Sequence, residues 1–169
     1  MAYDQHAQDA AAIRARLAVI TLSDTRTEET DKSGSRIKEL LAEAGHAVAA
    51  YHLIPDDPAR LGALMSDLLS RPDVDAILTN GGTGISRRDQ TIDVVERLLD
   101  HHLPGFGELF RMLSYDQIGS GALLSRATAG IARGKPLFAL PGSTKAVELA
   151  MTKLILPEIR HLLFELRKR

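Results

Sequence analysis

Residues 76–84 read AILTNGGTG, and this stretch decides the fold. Its first half, residues 76–79, is a short apolar run of the kind found in strands that are covered on both faces of a sheet. Asn80 and the glycines end the strand in a tight turn, because glycine adopts positive φ without steric cost. The pattern predicts a buried strand that delivers a turn of free backbone amides to one edge of a sheet.

Comparable strand and helix signals lie on both sides of this stretch. Short apolar runs predict further strands at 17–22, 46–54 and 137–140. Helical spacing of apolar residues predicts helices at 33–44, 91–100, 106–113 and 154–166, the last with a break at Pro157. A further helix is predicted at Pro58, with Asp57 as its N-cap. Strands that alternate with helices imply parallel crossovers. We therefore expect an α/β fold, a three-layer α/β/α sandwich around a mostly parallel sheet.

The length of 169 residues suits one domain with a single interior. Residues 1–16 lack a sustained apolar stripe, so we expect a flexible N-terminal lead-in followed by a single domain at 17–169. Cysteine is absent, which excludes disulfides, thiolate metal sites and cysteine nucleophiles.

The charge balance excludes several classes of partner. Lys and Arg number 21 against 22 Asp and Glu, so the chain as a whole does not attract nucleic acid or anionic lipid. No run approaches the roughly 20 apolar residues that a membrane span requires. We expect a cytoplasmic protein that uses neither nucleic acid nor membrane, and that holds any phosphate ligand locally.

Polar and glycine residues follow each predicted strand of the sheet. Ser23 and Asp24 come after the first strand, Asp56 after the second, residues 81–89 after the third and residues 141–143 after the last. The carboxyl ends of parallel strands meet at one edge, where ligands of such sheets bind. The sequence thus predicts one cleft that gathers these residues.

Two of these junctions are suited to anions. Gly81-Gly82-Thr83-Gly84 can present backbone amides to a phosphate, although the same residues can form a tight turn with no ligand. Pro141-Gly142-Ser143 precedes a helix whose positive end favours an anion, with Lys145 one turn further on, although a serine cap alone would explain it.

The acids of the junctions suggest a metal ion. Asp56 and Asp89 could hold Mg²⁺, which takes a few carboxylates together with phosphate oxygens. Asp56 could instead share the capping of the following helix, Asp89 could stabilise the turn before Thr91, and Asp24 could form a local turn.

Other features of the sequence are less informative. Arg26, Arg87 and Arg88 could contact phosphates or remain solvated on the surface. Residues 130–135 resemble a phosphate loop, but their glycines enclose three residues rather than four, and Pro136 stands where Ser or Thr is required. A P-loop kinase is therefore disfavoured, and so is a dinucleotide-binding oxidoreductase, because no G-x-G-x-x-G follows a strand.

A set of short motifs, taken in order, resembles the MoaB/MogA family of molybdenum-cofactor assembly proteins. The motifs are SDTR at 23–26, GGTG at 81–84, RD at 88–89, PGFGE at 104–108, FRMLS at 110–114, LSRA at 124–127 and PGSTK at 141–145. The resemblance spans residues 17 to about 159, and the stretch at 110–114 is closer to the MoaB branch.

The resemblance implies a molybdopterin-binding domain that assembles as a homotrimer or homohexamer. Such enzymes adenylylate molybdopterin with Mg²⁺ and ATP, release pyrophosphate, and precede the enzyme that inserts the metal. The alternative is a non-catalytic molybdopterin carrier or scaffold. A nucleotide-responsive regulator is a third reading.

The resemblance also implies roles for individual residues. Asp56 and Asp89 match the catalytic, metal-binding acids of active members, and members of the MoaB branch thought to be inactive lack the first. Ser114 and residues 141–143 resemble the pterin side of the site, and residues 81–84 its phosphate-binding turn.

Overall fold

The computed structural model describes residue 10 and residues 12–168. The flexibility predicted for residues 1–16 falls mostly outside this range. Within it, Ala15 is fully buried and Arg16 already belongs to the first strand, so the domain includes residues ahead of the predicted boundary.

The strands and helices alternate as predicted over most of the chain. The strands are β1 (Arg16–Leu22), β2 (Ala47–Ile54), β3 (Ala76–Asn80), β4 (His101–His102), β5 (Thr128–Ala132) and β6 (Lys135–Leu140). The helices are α1 (Lys32–Glu43), α2 (Pro58–Ser70), α3 (Thr91–Leu98), α4 (Pro104–Ile118) with a 3₁₀ segment (Gly119–Leu124), α5 (Thr144–Ala150), a π segment (Met151–Ile155) and α6 (Leu156–Arg167).

The sheet is mixed, with the strand order β2-β1-β3-β6-β5-β4. The four strands at one side are parallel, which confirms the expected crossovers. The other side adds an antiparallel edge of β5 and β4 that the sequence did not predict. The β5–β6 hairpin turns at Arg133 and Gly134, both at positive φ, as in the two-residue turns that match strand twist.

Helices cover both faces of the sheet, which confirms the three-layer sandwich. On one face, strand residues such as Leu17 and Val19 pack against α1, α4, α5 and α6. On the other face, Ala18 and Ile20 pack against α2 and α3. Successive residues of β1 thus enter different cores, as the two-residue period of a strand requires.

Side-chain caps fix the helix starts that follow strands. Asp57 accepts hydrogen bonds from the backbone N–H groups of Ala59 and Arg60 at 2.9 and 3.0 Å, and Ser143 accepts from Ala146 at 3.2 Å. Both residues were predicted as caps. Asp31, which was not, accepts from the N–H of Gly34 at 3.1 Å and begins α1.

The predicted break at Pro157 is wrong. The chain stays helical from α5 through the π segment into α6, where Pro157 lies in the first turn. The N–H of Leu156 donates to the carbonyl of Met151, five residues back. The wider π turn accommodates a proline that lacks the N–H and clashes with a regular α-helical turn.

Two helix boundaries also differ from the prediction. α3 ends at Leu98 rather than at residue 100, because the N–H of Asp100 donates to the carbonyl of Ile131 at 2.8 Å and leads into β4. α4 runs over Pro104–Ile118 and is longer at both ends than the helix predicted at 106–113. Within the described residues, no helix has the length and apolar character needed to cross a membrane.

Candidate functional site

A cleft opens where β1, β2, β3 and β6 end, at the carboxyl edge of the parallel half of the sheet. Most residues predicted for the site line it: Ser23, Asp24, Asp56, Gly81, Gly82, Thr83, Gly84, Asp89, Pro141 and Gly142. The structure therefore brings together residues from four separate junctions. Their roles in binding and catalysis remain predictions.

Three carboxylates, those of Asp24, Asp56 and Asp89, line the cleft. Asp24 accepts a hydrogen bond from the backbone N–H of Asp56 at 3.1 Å and forms an ion pair with the guanidinium of Arg88. Burial raises the pKa of Asp56, the negative charges of Asp24 and Asp89 raise it further, and Arg88 opposes them. Ionisation of Asp56 is therefore opposed by burial and by two like charges.

The carboxylate of Asp56 does not cap a helix, and one of its oxygens forms no hydrogen bond within the described residues. Its Oδ1 atom is buried and has no hydrogen-bond partner among the described residues. The capping bonds of α2 go to Asp57 instead, which removes the capping explanation for Asp56. A buried polar atom without a partner is costly in a native protein, so such an atom calls for a ligand or a proton.

The surroundings of Asp89 lower its pKa, whereas those of Asp56 raise it. Its carboxylate accepts from the hydroxyl and the backbone N–H of Ser86 at 2.6 and 2.9 Å. The Ser86 hydroxyl lowers the pKa of Asp89 most, and backbone donors and the charge of Arg126 add to this against the effect of burial. Asp89 is therefore an ionised carboxylate on a closed loop.

The glycine turn fits tightly between these acids. Gly81 and Gly82 have φ values of 98° and 63°, which other residues rarely adopt. A Cβ atom on Gly82 would lie 2.5 Å from Oδ1 of Asp56 and 2.3 Å from Oγ1 of Thr91. A Cβ atom on Gly84 would lie 2.7 Å from Oδ2 of Asp89. Glycine is thus required for the backbone to approach both acids.

The second turn packs directly on the first. A Cβ atom on Gly142 would lie 3.1 Å from Cα of Gly81, and the N–H of Gly81 donates to the carbonyl of Leu140 at 3.0 Å. The two turns predicted to receive anions therefore form a continuous floor. Amides near helix N-termini carry partial positive charge and favour negative ligands.

Three predicted residues do not line the cleft in the described part of the chain. Ser114 lies within α4, is 5% exposed, and donates to the carbonyl of Phe110 at 2.7 Å. Lys145 lines a different cavity between α4 and α5. Ser143 uses its hydroxyl to cap α5. Sequence spacing placed these residues near the motif but could not fix which way their side chains point.

Two residues that contact the glycine turn from outside the cleft were not predicted as site residues. Thr91 is 2% exposed, and its hydroxyl oxygen, beside Gly82 and Asp56, has no hydrogen-bond partner among the described residues. Arg126 donates to the carbonyl of Gly84 at 3.1 Å and pairs with Asp93 at 3.5 Å. Arg126 belongs to the LSRA motif, which was the available signal.

The acids fit a metal ion that is shared with a substrate rather than one that is enclosed by protein. Within residue 10 and residues 12–168, no group of three or more His, Asp or Glu side chains could hold a metal. Asp56 and Asp89 offer two carboxylates at the same cleft, and one oxygen of Asp56 lacks a partner. This donor set suits Mg²⁺, which completes its shell with water and phosphate oxygens.

Comparisons with known proteins point to one family. A family model described as "Probable molybdopterin binding domain" matches residues 18–161. Molybdenum cofactor biosynthesis protein B of Bacillus cereus is 54% identical over 155 residues, covering 91% of this chain and 92% of that protein.

Solved structures give the same result. A crystal structure of a molybdenum cofactor biosynthesis protein B matches with a TM-score of 0.91 and 52% identity, over 93% of this chain and 98% of that one. A tungsten cofactor synthesizing protein MoaB from Pyrococcus furiosus matches with a TM-score of 0.81 and 40% identity, over 92% and 98% of the two chains.

The sandwich, the cleft at its parallel strand ends and the family match together define an α/β domain of the molybdopterin-binding type. Within that class, the chain belongs to the MoaB/MogA family of molybdenum cofactor biosynthesis proteins, as its sequence motifs predicted.

Proposed function

We propose that this protein adenylylates molybdopterin with Mg²⁺ and ATP, and releases pyrophosphate, during molybdenum cofactor biosynthesis. The observation that carries the proposal is a buried carboxylate oxygen of Asp56, which lies beside a glycine turn and has no hydrogen-bond partner among the described residues. The names of the relatives support the pathway. In this role the protein acts in the cytoplasm, ahead of the enzyme that inserts the metal.

The reaction joins two phosphate groups. An anionic phosphate oxygen of the pterin attacks the α-phosphorus of ATP, and a new P–O bond forms. The bond from the α-phosphorus to the oxygen that bridges to the β-phosphorus breaks, and pyrophosphate leaves with that electron pair. The nucleophile is already an anion, so catalysis depends mainly on alignment and charge neutralisation.

The residues of the cleft suit these tasks. In the turns at 81–84 and 141–143, the backbone N–H groups of Gly82, Thr83, Gly142 and Ser143 would receive the two phosphate groups. Pro141 has no N–H, and that of Gly81 donates to Leu140. Asp56 and Asp89 would hold Mg²⁺, which supplies positive charge to the reacting phosphates when bound. Arg88, paired with Asp24, would keep the carboxylates in place.

We also propose that the protein assembles as a homotrimer or homohexamer. Large apolar side chains are exposed on α4 and the 3₁₀ segment, and monomeric proteins rarely expose a wide apolar surface. The exposed residues are Leu109, Met112, Tyr115, Ile118, Leu123 and Leu124. Light scattering of the purified protein distinguishes a trimer from a hexamer, and a monomer would contradict the proposal.

The test of the proposed function is a pyrophosphate assay. Purified protein is mixed with molybdopterin, Mg²⁺ and ATP, and the expected result is pyrophosphate release that requires all three. Binding of molybdopterin without pyrophosphate release would indicate a carrier or scaffold. Binding of nucleotide without any affinity for molybdopterin would indicate a regulator instead.

A further inference from the structure

A buried polar network lies behind the cleft, on the face of the sheet covered by α1. Its centre is the carboxylate of Asp31, a residue that is 1% exposed. The carboxylate accepts five hydrogen bonds, from Thr21 Oγ1 at 2.6 Å, Tyr51 OH at 2.7 Å, Ser33 Oγ at 3.1 Å, Gly34 N at 3.1 Å and Arg26 Nη1 at 3.2 Å. The proposed reaction gives this acid no part.

The network joins three neighbouring strands at their carboxyl ends. Thr21 belongs to β1 and Tyr51 to β2, and Asn80 of β3 donates to Thr21 Oγ1 at 2.9 Å. Asn80 Oδ1 lies 2.7 Å from Ser33 Oγ, so it shares with Asp31 the one proton that this hydroxyl can donate. Satisfied networks of this kind are rigid, because each group is held by several others.

Arg26 connects the network to the floor of the cleft. Its Nη1 atom donates to Ser33 Oγ at 2.6 Å as well as to Asp31, and its Nη2 atom donates to the carbonyl of Gly142 at 2.9 Å. The guanidinium is planar, so anchoring one end fixes the direction of the other. The carbonyl of Gly142 is therefore held by a group whose own position is set by the buried acid.

The direction of this carbonyl decides where an amide points. The peptide bond between Gly142 and Ser143 is planar and trans, so its carbonyl and its N–H point in opposite directions. With the carbonyl directed at Arg26, the N–H of Ser143 is directed away from Arg26 at the start of α5. Gly142 also packs on Gly81, so the same contact sets the spacing between the two turns.

We infer that Arg26, anchored by Asp31, is a positioning residue that orients the turn at Pro141, Gly142 and Ser143 toward an anionic group of the substrate. The identity of that group rests on the proposed function, but the orientation of the turn does not. Arg26 lines the cleft, yet its hydrogen bonds go to Asp31, Ser33 and Gly142. It therefore acts through the backbone.

The test compares two arginines near the start of the chain. Arg26→Met removes the guanidinium and keeps most of the stem. Arg36→Met is the matched control, because Arg36 of α1 forms ion pairs with Glu39, Glu43 and Glu148 away from the cleft. Arg26→Lys keeps the charge without the planar fork, and it serves as the test variant should Arg26→Met fail to fold.

Hydrogen exchange of the ligand-free protein is the first readout. The amides of Gly81, Ala146 and Val147 donate to Leu140 O, Ser143 Oγ and Ser143 O, so they report on the turn. We expect Arg26→Met to speed their exchange about tenfold, Arg26→Lys to have an intermediate effect, and Arg36→Met to leave them unchanged. Unchanged exchange in both Arg26 variants, or an equal rise across the whole chain, would overturn the inference.

Steady-state kinetics is the second readout. We expect Arg26→Met to raise the KM for molybdopterin about tenfold, with a smaller effect of Arg26→Lys and none of Arg36→Met. An unchanged KM in Arg26→Met would also overturn the inference. If the wild-type protein releases no pyrophosphate while the exchange result holds, the adenylylation proposal fails and the positioning of the turn stands.

Discussion

Two acids lie near the carboxyl ends of the parallel strands, and they differ in what surrounds them. Asp31 is buried, and Asp56 is half-buried. The carboxylate of Asp31 is surrounded by hydrogen-bond donors. Burial raises its pKa, but the hydrogen bonds from Thr21, Tyr51, Gly34 and Ser33 bring the pKa below the usual value. Asp56 has an oxygen without a partner and like charges nearby, and its pKa lies above the usual value. A saturated carboxylate belongs to the architecture, whereas an unsaturated one is free to bind a ligand.

The largest expected effect is a loss of adenylyl transfer rate when Asp56 or Asp89 is replaced. Asp56→Ala and Asp89→Ala should each slow adenylyl transfer roughly a hundredfold, because each removes a preorganised electrostatic group. The control is Asp57→Ala, which should lose about 1 kcal/mol of stability through the lost cap and keep its rate. Single-turnover assays measure the rates, and near wild-type rates in both Asp56→Ala and Asp89→Ala would contradict the assignment.

The second prediction concerns the free energy of unfolding that Asp31 contributes. Asp31→Ala should lower the free energy of unfolding by about 3 kcal/mol, because it leaves buried donors and the guanidinium of Arg26 without their acceptor. Asp56→Asn should lower the free energy of unfolding only slightly, since the carboxylate that it replaces has few hydrogen bonds to lose. Urea unfolding of the two variants measures the difference. Equal losses would mean that the two acids do not differ as described.

The third prediction tests whether Asp56 needs the space that the absence of a Cβ atom on Gly82 leaves. Gly82→Ala should cost about 2 kcal/mol, from the positive φ together with the clash with Asp56 and Thr91. Gly134→Ala is the control, since Gly134 has a φ of 74° and nothing within 4 Å of its Cβ position. It should cost about 1 kcal/mol from φ alone. If urea unfolding shows equal losses of unfolding free energy in the two variants, the turn at Gly82 is not in close contact with Asp56.

The smallest expected effect is the pH dependence of stability, which should have opposite signs for the two acids. The raised pKa of Asp56 gives stability that is present below pH 3.8, the unfolded value, and is lost as the pH rises through the folded pKa. The lowered pKa of Asp31 gives stability that is present above 3.8 and is lost as the pH falls through the folded pKa.

Variants that cannot ionise reveal these signs. Asp56→Asn should gain stability relative to wild type as the pH rises from about 3 to 7, and Asp31→Asn should lose stability over the same range. Urea midpoints across this range measure both trends. Parallel trends in the two variants would contradict the assignment of the pKa shifts.

The parallel half of the fold was predictable because its signals are local. A buried apolar run followed by Asn80 and glycines marks β3 and its turn, and the caps at Asp57 and Ser143 mark two helix starts. Parallel pairing then forces the strand ends to one edge. The convergence of Asp56 and Asp89 on one cleft follows from this topology alone.

The rest depended on contacts that are distant in sequence. The antiparallel edge of β4 and β5 is held by pairing with β6 rather than by a strong pattern of its own. The sequence did not mark Asp31 as the centre of a network, because Thr21 and Tyr51 meet its carboxylate only in the fold. The directions of Ser114 and Lys145 were set by helix packing, which spacing alone does not determine.

The most direct test of the central claim is a double-mutant cycle on Asp56 and Asp89, measured as single-turnover rates of adenylyl transfer. If the two carboxylates serve one ion and one reaction, the double variant Asp56→Ala/Asp89→Ala should be about as slow as either single variant, roughly a hundredfold below wild type. If the two losses multiply, the acids act independently, and the account of a single shared site is wrong.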